Sequence, residues 1–134
     1  LSKIKKIGMF DQNYFLYLEE IDLCRRLNVA SEKIYILPGA CIKHIGASSS
    51  DLGFEFEKCR NWHWMWSRVY FDIKFYNYTY AFRNSFFKLI SSFFKMVLFL
   101  FLLNIKKSTI HYYRFSGLFN SLLGKKSWYR PKFN

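Results

Sequence analysis

The sequence predicts an α/β fold in its first half, followed by an aromatic, basic and mostly helical C-terminal extension. Three observations predict it. Two short apolar runs beside turn residues (33–37 and 40–45) read as strands, and the segments around them carry helical spacing. The charge divides the chain: residues 1–72 hold ten basic and nine acidic side chains, whereas no acid follows Asp72 and eleven Lys or Arg do. The aromatics divide it too, with 18 of the 30 lying beyond residue 72. At 134 residues there is room for one compact domain. An apolar fraction near half, with only six Gly and two Pro, excludes a disordered, collagen-like or linker chain. The net charge of +12 calls for an anionic partner, such as phosphate, nucleic acid or acidic lipid.

Leu1, Ile4 and Ile7 repeat at helical spacing, and Gly8 suits the C-cap of a short first helix. A turn over 9–13 leads into Tyr14–Leu18 and then Glu19, Glu20 and Asp22. Acids in a first turn with Arg25 and Arg26 in the next predict a helix over 19–29. KIYIL (33–37), ending at Pro38, reads as a buried strand, and ACIKHI (40–45) as a second short one. Residues 46–53 (GASSSDLG) form a small-residue loop. From Phe54 to about Tyr76 the pattern is helical and includes NWHWMW (61–66), either a stacking platform or a packed helix face.

A further helix is expected over about 80–104. Its polar residues, Asn84/Ser85, Lys88, Ser91/Ser92 and Lys95, make one thin stripe on an otherwise apolar cylinder. The uninterrupted apolar run, 96–103, is far short of the roughly twenty residues that span a bilayer. Extending it would bury Lys88 and Lys95 at about 2.5–3.5 kcal/mol each. A helix lying in the membrane interface is favoured over one packed on its own domain or one that spans. A shorter helix is expected over 109–123, before a basic tail. Domain boundaries follow: 1–53, the site-bearing part; 54–78, an aromatic helix closing it; 79–134, a basic amphipathic membrane-associating region.

Cys24, Cys41 and Cys59 are far apart and form no CxxC pair, which argues against a zinc ribbon or redox dithiol and for reduced thiols. The chain opens on Leu-Ser-Lys without a Met or a visible signal peptide, an expectation that an N-terminal portion is missing.

Residues 10–27 hold the densest polar constellation. Clustered carboxylates repel, which raises at least one pKa and can give a general base. On a helix Glu19 and Asp22 share a face, and Glu20 points about 100° away. The alternative is an acidic helix N-terminus with Arg25 or Arg26 pairing back. His44, beside Gly46 and three serines, is a candidate for a metal or phosphate oxygen, or else a hydrogen-bonded structural histidine.

The order FD-x-x-(Y/F)-F-L-Y-x-E-(D/E)-x-D-L-C-x-R, then a strand ending in Pro, then H-x-G-x-S, resembles the C-terminal half of the catalytic domain of family 2 glycosyltransferases. It is most similar to bacterial rhamnosyltransferase-like members. Phe10, Asp11, Phe15, Leu16, Tyr17, Glu19, Glu20, Asp22, Leu23, Cys24, Arg26, Pro38, His44, Gly46 and Ser48 carry the resemblance, over roughly residues 4–70. It implies a GT-A fold and inverting transfer of a sugar from a nucleotide-sugar to a lipid-linked or glycan acceptor in cell-surface polysaccharide synthesis. It implies Glu20 as the base on the acceptor hydroxyl, a position where Asp is usual. Asp22 and Glu19 would shape the site, and Arg26 and Ser48 would lie on the cofactor side. His44 would help hold a divalent cation, Mg²⁺ or Mn²⁺. The Asp-x-Asp motif of the nucleotide-binding half is absent from this sequence, so the isolated chain is expected neither to bind donor tightly nor to turn over.

The implied location is cytoplasmic, peripheral on the inner face of the cell membrane, with anionic lipid holding the basic region at about 1 kcal/mol per cation. The competing expectations are a basic, aromatic nucleic-acid-binding module and a non-catalytic membrane-associated protein. No nucleic-acid reader motif is present, and nucleic acid is not the expected partner.

Overall fold

The computed structural model describes residues 2–41 and 53–130. Five helices follow in order: α1 (Ser2–Lys6), α2 (Glu19–Val29), α3 (Gly53–Phe75), α4 (Tyr78–Phe101) and α5 (Ile105–Leu122). The regular structure of the described residues is all helical, with no strand among them, and this overturns the α/β expectation and the GT-A sheet implied with it. Residues 33–37 lie open to solvent instead of buried, with Ile36 90% exposed. The physical reason is that an extended run needs a neighbour for its backbone N–H and C=O groups, and no described segment supplies one. The second expected strand falls almost wholly in 42–52, outside the described residues.

The helices start and stop for local reasons. Gly8, at φ 89°, closes the turn after α1. The Asn77 side chain accepts from the Tyr80 amide (2.8 Å) and caps α4. Asn104 accepts from the Lys107 amide (3.1 Å) and caps α5. The intervening loops are short, so α3, α4 and α5 fold back on one another, with α5 packed along both of the others.

One core cluster, Met65, Val69, Ala81, Leu118 and Leu122, joins these three helices. A second, Cys59, Trp62, Trp66 and Tyr129, fastens the tail to α3. At Gly117 a Cβ would lie 2.3 Å from the Trp62 carbonyl oxygen, so only glycine permits this α3–α5 approach. Polar side chains cross the same seam. Trp62 Nε1 donates to Ser116 Oγ (3.1 Å), Ser121 Oγ to the Trp66 carbonyl (3.0 Å), and Trp66 Nε1 to the Lys125 carbonyl (2.9 Å).

Helix α4 is turned inside out. The middle of its polar stripe faces the other helices, with Ser85 and Ser92 buried and Lys88 and Ser91 half-buried, while Asn84 and Lys95 at its edges stay exposed. Its aromatic surface faces outward, where Phe87 is 79% and Phe94 65% exposed. By length and composition it could cross a membrane, and only 11% of its most apolar window is buried.

Candidate functional site

The acidic run begins where the chain passes through two left-handed residues, Tyr17 and Leu18, both at φ 71°. These turn the backbone into α2, so Glu19, Glu20 and Asp22 occupy its first turn, where carboxylates complement the exposed N–H groups. The three then diverge. Asp22 is fully buried and both its oxygens are engaged: Oδ2 accepts from Arg26 Nε (2.7 Å) and Oδ1 from Lys74 Nζ (2.5 Å). Glu19 is half-buried, and its Oε2 has no hydrogen-bond partner. Glu20 is exposed and makes no ion pair among the described residues.

Arg26 is saturated as well. Beyond Asp22 it donates to the carbonyls of Ile7 (2.6 Å) and Met9, and so ties the loop after α1 to α2. Lys74 reaches from α3 and bridges Asp22 to Asp11 Oδ2 (2.6 Å). Asp11 also accepts from Tyr70 Oη (3.0 Å) and the Asn13 amide (2.9 Å). Burial pushes the Asp11 carboxyl up, but the bonds from Lys74, Asn13 and Tyr70 outweigh it and bring its pKa down to about 2. Burial and the Asp11 carboxylate push the Tyr70 phenol up to about 12. The network Asp11–Lys74–Asp22–Arg26 therefore holds charge in place, and Asp11, Lys74 and Arg26 border a cavity of about 350 Å³ with Ile7, Gly8 and Phe10.

His44 and Ser48 lie outside the described residues. Among the described residues no three His, Cys, Asp or Glu side chains converge as metal ligands, and the ammonium of Lys74 already sits between Asp11 and Asp22. These residues do not fit a divalent cation.

The aromatic run 61–66 splits by burial. Trp62 and Trp66 are interior, and Trp64 is exposed, edge-to-face with Tyr17 at 5.3 Å. Trp64 and Tyr17 line a second cavity, of about 340 Å³, with Arg60, Asn61 and Arg114. His63 is fully buried, its Nε2 2.8 Å from the Tyr129 carbonyl and its Nδ1 3.1 Å from Ser127 Oγ. Burial holds its pKa down at about 4, so it is neutral at physiological pH.

Sequence reasoning did not find Lys74 as the partner of Asp22, 52 residues away, and assigned no role to Asp11. It also missed a cavity of about 250 Å³ lined by cations from α3, α4 and α5. The signals for that cavity were the polar stripe of α4 and the absence of acids after Asp72.

No family model matches the chain, and no solved structure matches it. Over 62 residues it is 37% identical to Rhamnosyltransferase WbbL of Escherichia coli (strain K12), a stretch that is 46% of this chain and 23% of that protein. Over that stretch the chain is glycosyltransferase-like.

Proposed function

We propose that this chain serves sugar transfer at a membrane surface. The reaction is inverting transfer from a nucleotide-sugar donor to a lipid-linked glycan acceptor on the cytoplasmic face, in the making of a cell-surface polysaccharide. The chemistry rests on the 62-residue similarity to a rhamnosyltransferase. Glu20 is the base: its carboxylate takes the proton of the acceptor hydroxyl as that oxygen bonds to the anomeric carbon, and the nucleoside diphosphate leaves with the electron pair of the broken bond. Of the three clustered carboxylates Glu20 is the one open to an incoming acceptor. Asp22, locked between Arg26 and Lys74, sets the register of α2 and so positions Glu20. Glu19 borders the same turn.

The observation that carries the membrane half of this reading is the inverted α4. Phe87, Phe94, Leu98 and Phe101 are exposed along it, and the exposed cations Arg83, Lys106 and Lys107 flank its two ends. An apolar face bordered by cations fits an anionic bilayer surface. In-plane docking is favoured over spanning because α5 packs along α4 and would drag Arg114, Lys106 and Lys107 into the hydrocarbon.

Two experiments test the proposal. The chain is expected to sediment with anionic phospholipid vesicles. Phe87→Asp with Phe94→Asp should weaken that binding by up to about 3–6 kcal/mol, the value of fully burying two such side chains. In host cells that supply the nucleotide-binding half and lack this chain, re-expressed wild type should restore transfer of labelled sugar into extractable lipid, and Glu20→Gln should not. Full restoration by Glu20→Gln removes the catalytic reading, and absence of vesicle binding at low salt removes the docking one.

A further inference from the structure

Behind the lipid-facing surface of α4 lies the cavity of about 250 Å³ between α3, α4 and α5. Arg68 of α3, Lys88 and Lys95 of α4, and Arg114 of α5 all line it, as do the serines at 91 and 92, and no carboxylate does. None of these four cations makes an ion pair among the described residues. Lys88 donates to the Asn84 carbonyl in its own helix (2.9 Å). Asp72, one turn beyond Arg68, accepts from Asn84 Nδ2 (2.7 Å) and attracts the Lys88 ammonium without closing an ion pair.

Two further groups at this place are left without partners. Arg114 Nε and His111 Nδ1 are buried atoms with no hydrogen bond. An orphaned donor in a folded interior costs stability unless something arrives to bond it. Like charges brought together from three helices cost more again, Arg68 repelling Lys88 while Asp72 attracts it.

We infer that this cavity is an anion site that takes a phosphate or diphosphate group, carried either on a lipid headgroup or on a soluble molecule. The donor set suits that chemistry. Guanidinium groups pair with phosphoryl oxygens through two parallel bonds, ammonium groups act as point charges, and serine hydroxyls complete the shell. Burial and the neighbouring Arg114 and Lys95 hold the His111 imidazole below its usual pKa, so it enters as a neutral hydrogen-bonding group. Trp64 and Arg114 also line the adjacent cavity of about 340 Å³, which leaves room beside an aromatic ring for whatever the phosphate carries. This inference deepens the proposed function and rests on it for the link to a lipid-linked acceptor, but the anion site itself stands on the cavity alone.

The test uses sodium pyrophosphate, followed by titration calorimetry, and phosphatidylcholine vesicles doped with phosphatidic acid, followed by sedimentation. Lys95→Gln with Arg114→Gln should weaken pyrophosphate binding about tenfold or more. Lys125→Gln with Lys126→Gln, the same loss of charge on the exposed tail, should change it by less than about twofold. Arg68→Gln is the second cavity variant should the double one fail to fold. Pyrophosphate should also raise the melting temperature of the wild type and not that of the cavity variants. Equal weakening by cavity and tail variants, or no pyrophosphate binding by the wild type, overturns the inference.

The two sources separate by competition. If pyrophosphate releases the chain from phosphatidic acid vesicles, the cavity takes a headgroup phosphate. If it binds through the cavity without releasing them, the cavity takes a soluble phosphate. A chain that binds pyrophosphate but never sediments refutes the docking reading and leaves the anion site standing. One that sediments without binding pyrophosphate does the reverse.

Discussion

Acidification should loosen this protein through His63. The imidazole is fully buried and ties α3 to the tail, with Nε2 2.8 Å from the Tyr129 carbonyl and Nδ1 3.1 Å from Ser127 Oγ. Its pKa is about 4 in the folded chain, against 6.5 when unperturbed, chiefly because burial disfavours the charged ring, with Arg130 adding repulsion. Between those two values the unfolded chain binds a proton that the folded chain does not. Folding stability is therefore full above the unfolded value and falls as pH drops through the window from 6.5 to about 4. The full difference is about 3 kcal/mol, of which about 2 kcal/mol is lost between roughly pH 7 and pH 5. Urea unfolding across that range measures it. The His63→Gln variant should flatten the dependence, and His111→Gln should leave most of it. A His63 ring proton that titrates by NMR near the ordinary histidine value, or a stability that does not change between these pH values, would refute the reasoning.

Two further substitutions separate packing from chemistry. Gly117→Ala puts a Cβ 2.3 Å from the Trp62 carbonyl oxygen, a backbone atom that cannot swing aside, and should cost about 2–3 kcal/mol in thermal or urea melts. A cost under half a kcal/mol would show that α3 and α5 can slide apart. Asp22→Asn leaves Arg26 and Lys74 facing an uncharged group and should destabilise by about 3 kcal/mol, whereas Glu20→Gln on the exposed side of the same turn should stay within about 0.5 kcal/mol. Equal costs at the two positions would contradict the division into a positioning carboxylate and an open one.

The helices were legible because their signals are local. The acids at 19–22 followed by arginines marked α2, and the polar stripe from Asn84 to Lys95 marked α4. The KIYIL segment misled because an apolar, β-branched run records what a strand would need on its faces, not whether a neighbouring strand exists to pair with it. The carboxylate cluster was legible as a cluster, but the roles of its members were not. Asp22 and Glu20 are two positions apart, yet one is closed by Lys74 from across the fold and the other faces solvent. Position along a helix gives the angle between side chains; the partner that fills that angle comes from tertiary structure.

The direction in which α4 turns its stripe links the two unexplained costs in this molecule. In water, an outward face bearing Phe87, Phe94 and Leu98 leaves apolar area that any burial would stabilise. On the other side, Lys88 and Lys95 line one cavity with Arg68 and Arg114, and no carboxylate closes an ion pair with any of the four among the described residues. Rotating α4 by half a turn would relieve both in an isolated aqueous protein, by burying the phenylalanines and freeing the lysines. It would also strip the buried Ser85 and Ser92 and the Ala81 contact from the seam with α3 and α5. The sequence holds the costly orientation by placing Ala and Ser where the backbones approach and Phe where they do not. A surface that is anionic where the cations lie and apolar beneath the rings removes both costs without that rotation. On the proposed docking the inverted helix and the unpaired cations share one cause, and the chain should gain stability both from anionic vesicles and from pyrophosphate, additively if the cavity takes a soluble phosphate and in competition if it takes a headgroup.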